Sequence, residues 1–187
     1  MIGWGSGERH WGEWMSAGRY RWSQLRKDIE SRFADSLKRR LRLVCVGYRG
    51  AHDSDGRATI VLDGNEIASF CNVSAMQYCG GRHNPSCHDT SQRLDWLTPP
   101  TVRTPDALHE RGEFSCNDFI STCLEYRNLS IEDALVSSNP LHRALAMCDA
   151  RVGKRRLQRL SAEGEHPLVG FLLHMRRNAE KLTNNSA

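Results

Sequence analysis

The chain has 187 residues, 39% of them hydrophobic, and a formal net charge of +4; its mean hydropathy is −0.57. That length suits one domain with a true core and a well-solvated surface. No run approaches the ~18 apolar residues of a membrane span, and so small a net charge does not by itself point to nucleic acid.

Residues 1–21 hold three of the five tryptophans and five glycines. Glycine at this density disfavours helix, and the apolar core of a signal peptide is missing. The stretch reads as a disordered leader, as residues translated upstream of a start at Met15, or as a tryptophan-bearing arm that docks on a partner. Trp22 to Leu37 then has helical periodicity. Trp22, Leu25, Ile29, Phe33 and Leu37 share one face, with Ser23 as the expected N-cap and Lys38-Arg39-Arg40 beyond the C-terminus, where cations suit the helix dipole.

Three strands are expected next, over Leu41–Tyr48, Arg57–Leu62 and Glu66–Val73. The turns between them are His52-Asp-Ser-Asp-Gly56 and Asp63-Gly-Asn65, and Asp-Gly between apolar runs is a hairpin signal. This predicts an antiparallel meander covered on one face by the first helix. Residues 75–112 contain three of the eight histidines and four of the six prolines. They show little periodicity, as in a long loop insertion.

The remainder reads as helical. Ser115 with Asp118 resembles a capping box, and Ser130 with Asp133 repeats it. Asn139-Pro140 opens a helix that runs toward Leu160, with Asn139 as N-cap and Pro140 at the first helical position. Leu141, Leu145, Cys148 and Val152 fall within about 60° of one another. The stripe breaks at Gly153, which predicts a kink, a chain reversal or a close backbone contact. His166-Pro167 opens the last helix, with Leu168, Phe171, Leu172, Met175, Ala179 and Leu182 on one face. Residues 183–187 form a tail. The expected fold is α+β in a single domain over residues 22–182: an N-terminal helix, a three-stranded antiparallel meander, a long loop and a helical C-terminal half.

Several constellations can carry chemistry. Cys79, His83, Cys87 and His88 resemble zinc ligands in type, but adjacent Cys87-His88 fits one tetrahedral ion poorly. No cofactor is therefore expected, with zinc as the one possibility. His52 and Asp53 at a hairpin tip could form a hydrolase site, although turn chemistry explains Asp, Ser and Gly there equally well. The seven cysteines (Cys45, Cys71, Cys79, Cys87, Cys116, Cys123 and Cys148) are odd in number. Five lie in apolar patterns, which implies reduced thiols in a cytoplasmic protein. The basic clusters carry the strongest physical case. Arg19 to Arg42 holds nine cations against three carboxylates, and Arg151, Lys154, Arg155, Arg156 and Arg159 form a run without a carboxylate. Such a ridge suits phosphate oxygens or another anionic surface.

Two segments together resemble a known family. They are Trp22–Leu37 followed by Tyr48-Arg-Gly-Ala-His-Asp-Ser-Asp-Gly-Arg57, and Asn139–Leu157 with its Asp149-x-Arg-x-Gly-Lys-Arg-Arg run. The chain is similar over roughly residues 20–180 to small uncharacterised bacterial proteins carried under a locus-tag name. The resemblance implies a bacterial cytoplasmic protein and no particular reaction. The Trp/Gly leader and the Cys/His-rich loop depart from the family's pattern.

The expected function is non-enzymatic: a binding or regulatory protein whose Arg151, Lys154, Arg155, Arg156 and Arg159 contact nucleic acid or an acidic protein, with no membrane partner. The alternatives are a metal-dependent hydrolase built from His52, Asp53 and the Cys/His-rich loop, and an interaction protein whose leader or loop orders on a partner.

Overall fold

The computed structural model describes residues 21–47, 56–71 and 114–182. The tryptophan-rich leader, the His52/Asp53 turn, the Cys79–His88 cluster and the proline-rich stretch lie outside the described residues.

Helix α1 spans Trp22–Ser31. The meander follows as β1 (Leu41–Gly47), β2 (Gly56–Leu62) and β3 (Asn65–Cys71), antiparallel in the order β1-β2-β3. Five helices complete the described chain: α2 (Cys116–Tyr126), α3 (Ile131–Val136), α4 (Pro140–Cys148), α5 (Lys154–Arg159) and α6 (Pro167–Ala179). The architecture is α+β, as the sequence predicts.

The β2–β3 turn is made by Asp63 and Gly64, both with positive φ (49° and 85°). That is the conformation a two-residue hairpin requires, and glycine adopts it without a Cβ penalty. A bulge beside Ile60/Val61 leaves Ile67 as the extra residue of β3. The register aligns Leu43 with Ile60 and Ala68, and Cys45 with Ala58 and Phe70, on one face. Helices α1 and α2 pack there. Phe70 stacks on Phe119 at 4.5 Å, and Trp22 meets the same ring at 6.3 Å. Glu30 accepts a hydrogen bond from the Leu43 amide at 2.8 Å. This occupies an amide on the outer edge of β1, where an open strand edge would invite association.

Helix α4 is the centre of the helical half. Every residue from Pro140 to Cys148 except Arg143 is buried, and α4 packs against α6, α3 and α2. Asn139 caps it by accepting from the Leu141 amide at 2.9 Å. The capping box of α2 is complete: Ser115 accepts from the Asp118 amide, and Asp118 accepts from the Ser115 amide.

Apart from the last helix, which ends at Ala179 and leaves Leu182 beyond it, two boundaries differ from the sequence reading. α1 begins behind Arg21 without a side-chain cap, so Ser23 is not the N-cap, and it ends at Ser31 instead of Leu37. The early end has a tertiary cause. The Ala150 amide donates to the Arg32 carbonyl at 2.8 Å, and the Ala34 amide donates to the Cys148 carbonyl at 2.9 Å. This short pairing brackets Phe33 and Asp149 and replaces the next helical turn. Phe33 and Leu37 stay buried, Phe33 from the bridge and Leu37 from the turn after it. The second difference lies at Gly153. The helix expected from Asn139 toward Leu160 is two, with α4 ending at Cys148 and Gly153 serving as N-cap of α5.

Candidate functional site

The segment from Asp149 to Val152 is a turn in which the Val152 amide donates to the Asp149 carbonyl at 3.1 Å, and buried side chains fix this reversal. The Asp149 carboxylate, 1% exposed, accepts from the Arg151 amide at 2.8 Å, from Arg151 Nη2 at 2.8 Å and from the Tyr126 hydroxyl at 2.7 Å. Burial opposes ionisation, but the hydrogen bonds from Arg151 and Tyr126 win, and the Asp149 carboxyl lies below its ordinary range. Burial and the neighbouring Asp149 charge push the Tyr126 phenol well up. It therefore stays a donor.

Arg176 holds the same reversal from inside. It is 2% exposed. Nη1 donates to the carbonyls of Met147 and Asp149, and Nη2 donates to the Val152 carbonyl at 2.6 Å. Nε donates to Glu180 at 3.0 Å. The planar guanidinium thus joins the Met147 carbonyl at the end of α4 to the carbonyls of Asp149 and Val152 in the turn that follows. Arg177, next along α6, donates to the carbonyls of Leu157, Gln158 and Leu160. It anchors the C-terminal end of α5.

The five cations singled out from the sequence divide into two groups. Arg151 spans Asp149 and the Leu129 carbonyl and lies 5.8 Å from the Tyr126 ring centre. Arg156 pairs with Glu132 at 3.1 Å. Lys154, Arg155 and Arg159 are exposed and have no hydrogen-bonded or ion-paired side-chain partner among the described residues. On α5 only Leu157 is buried.

A second basic surface hangs from the same end of α6. Ser36 donates to Glu180, the carboxylate that also receives Arg176. This ties the turn after α1 to the last turn of α6, which on its other side carries α5 through Arg177. Beyond Ser36 the chain forms a cleft of about 340 Å³ lined by Glu30, Phe33, Lys38, Arg39, Leu41 and Arg42. Lys38 is paired with Asp35 at 2.6 Å. Arg39 and Arg42 are exposed and have no side-chain partner among the described residues. Arg39 has a φ of 67°, an uncommon conformation for a residue with a Cβ. Arg40 is committed to Asp63, at 2.7 Å.

Sequence reasoning missed Arg176, Arg177, Glu180 and Tyr126. A signal for Arg176 exists: it sits three and four residues after Leu173 and Leu172, which puts an arginine on the buried stripe of α6. Among the described residues no group of three or more His, Cys, Asp or Glu side chains could hold a metal ion, and no helix is long and apolar enough to cross a membrane.

Fold and site together define an α+β protein in which a buried arginine fastens a chain reversal that presents a short basic helix. Residues 21–177 match the model of the SF0329 protein family, and the chain belongs to that family. No curated protein and no solved structure matches the chain.

Proposed function

We propose that the protein is a non-enzymatic binding protein whose basic helix α5 contacts the phosphate backbone of a nucleic acid. The observation that carries this reading is the state of Lys154, Arg155 and Arg159. They are exposed and have no side-chain partner among the described residues, on a helix whose backbone is tied down by Arg177 and whose preceding turn is held by Arg176. Cations on a fixed backbone lose less freedom on binding than cations on a mobile arm. Arg39 and Arg42, tethered through Ser36 to the C-terminal end of α6, form a second exposed cationic surface. Arg151 and Arg156, already paired with Asp149 and Glu132, position the helix and contribute less to contact.

In this reading the Asp149-x-Arg-x-Gly-Lys-Arg-Arg run is the family's signature. Its first half builds the reversal and its second half meets the partner. A bacterial, cytoplasmic protein with reduced thiols and no resident cofactor fits the same account. An acidic protein surface is the competing partner. The metal-dependent hydrolase reading draws on His52, Asp53, Cys79, His83, Cys87 and His88, and no observation on the described residues favours it.

The test is fluorescence anisotropy of a labelled mixed-sequence duplex and of a single strand, titrated with protein at several salt concentrations. The expected result is a slope of log K against log salt of about −3 or steeper, which means several phosphates are neutralised. No binding to either probe at low salt overturns the nucleic-acid reading.

A further inference from the structure

The inner face of α2 carries Cys116, Phe119 and Cys123, all buried. Cys45 projects onto that face from β1, in register with Ala58 and Phe70. The Cys45 and Cys116 sulfurs are 3.7 Å apart. That is contact distance for two thiols, and no disulfide joins them. The pair also differs in access: Cys45 is half-buried and Cys116 fully buried. Cys45 is thus the more accessible residue of the two.

We propose that Cys45 and Cys116 form a modification site: a dithiol that a peroxide oxidises to a disulfide linking β1 to the first turn of α2. Cys45 is the reacting thiol. The hydrogen bond shared with Cys116 holds the Cys45 thiol below its ordinary value despite burial. Cys116 is also the first residue of the 11-residue helix α2, whose dipole favours negative charge at that end. The remaining buried thiols behave differently. Burial pushes Cys123 well up and Cys148 up to about 12, which leaves both protonated and inert.

The chemistry balances with one peroxide. The Cys45 thiol gives up its proton, and its sulfur attacks a peroxide oxygen. The S–O bond forms, the O–O bond breaks, and hydroxide leaves to become water. Cys116 then loses its proton and attacks the Cys45 sulfur. The S–S bond forms, the S–O bond breaks, and a second water departs. Two thiols are oxidised and one peroxide is reduced to two waters. The disulfide closes the sulfurs from 3.7 Å to a bond of about 2.05 Å.

Hydrogen peroxide added to the intact protein, followed by alkylation under denaturing conditions and non-reducing peptide mass spectrometry, tests the site. The expected product is a Cys45–Cys116 cross-link, formed also in a Cys123→Ser variant and absent in Cys45→Ser. Before oxidation, iodoacetamide should modify Cys45 about tenfold faster than Cys123 or Cys148, because only an accessible thiolate reacts. Oxidation of Cys45 to a sulfinic acid with Cys116 still alkylatable overturns the proposal. So does a cross-link from Cys45 to any other cysteine, or a pair of thiols unchanged by peroxide. The alkylation rates and the wild-type cross-link decide the matter even if a variant fails to fold.

Discussion

Arg176 is the residue on which the helical half depends. Its guanidinium sits 2% exposed among the carbonyls of Met147, Asp149 and Val152 and the Glu180 carboxylate. Removing one partner of a buried charge pair leaves the other uncompensated, and here the carbonyls of Met147 and Val152 also lose the guanidinium donor, while that of Asp149 keeps the Val152 amide. Arg176→Leu should therefore destabilise the protein by about 3–5 kcal/mol in urea unfolding. A loss below about 1 kcal/mol, the worth of an exposed pair, would show that the guanidinium is not the fastening group. His142 sets a second expectation. Burial holds its imidazole below the ordinary 6.5, against the opposing pull of Glu125. Nε2 lies 3.2 Å from Glu125 without hydrogen-bond geometry, while Nδ1 is 3.0 Å from the Ser137 hydroxyl. A depressed folded value means that the unfolded chain binds the proton more readily. The contribution is thus fully present above pH 6.5 and is lost as pH falls through the folded value. Unfolding at pH 7.5 and pH 5.5 should show a smaller loss in His142→Gln than in the native protein. Equal losses in the two would place the titrating group elsewhere.

At the scale of elements, the helix starts were the most legible part of the sequence. Ser115/Asp118, Ser130/Asp133 and Asn139-Pro140 each sit where a side-chain acceptor meets an unpaired amide, and that chemistry is local. The Asp63-Gly64 turn was legible for the same reason. The end of α1 was not. Helical periodicity continues through Phe33 and Leu37, and both residues are buried, yet the backbone leaves the helix to pair with residues 148–150. Contacts more than a hundred residues apart leave no mark in a local pattern. Gly153 was recognised as a break, and its structural role is to cap α5. The candidate cations were also legible as a cluster. Their division into Arg151 and Arg156, which are paired, and Lys154, Arg155 and Arg159, which are not, depends on where Asp149 and Glu132 come to lie.

For the whole molecule, one helix turn organises two basic surfaces. Arg176 and Arg177 hold the reversal and α5, and Glu180 holds the turn that leads to Arg39 and Arg42. A modest overall charge of +4 is thereby compatible with a local cationic surface, because field strength depends on placement more than on the total. The cations that build this surface and the cations that use it are different residues. The most direct test is the Lys154→Glu/Arg155→Glu variant, with nucleic-acid affinity and thermal midpoint measured on the same sample. Affinity should fall by at least about tenfold and the salt slope shrink by about two, while the midpoint stays within about 2 °C of the native value, as expected for exposed side chains. Unchanged affinity would contradict the assignment of α5 as the contact surface, and a collapse of the midpoint would show that these two charges hold the fold instead.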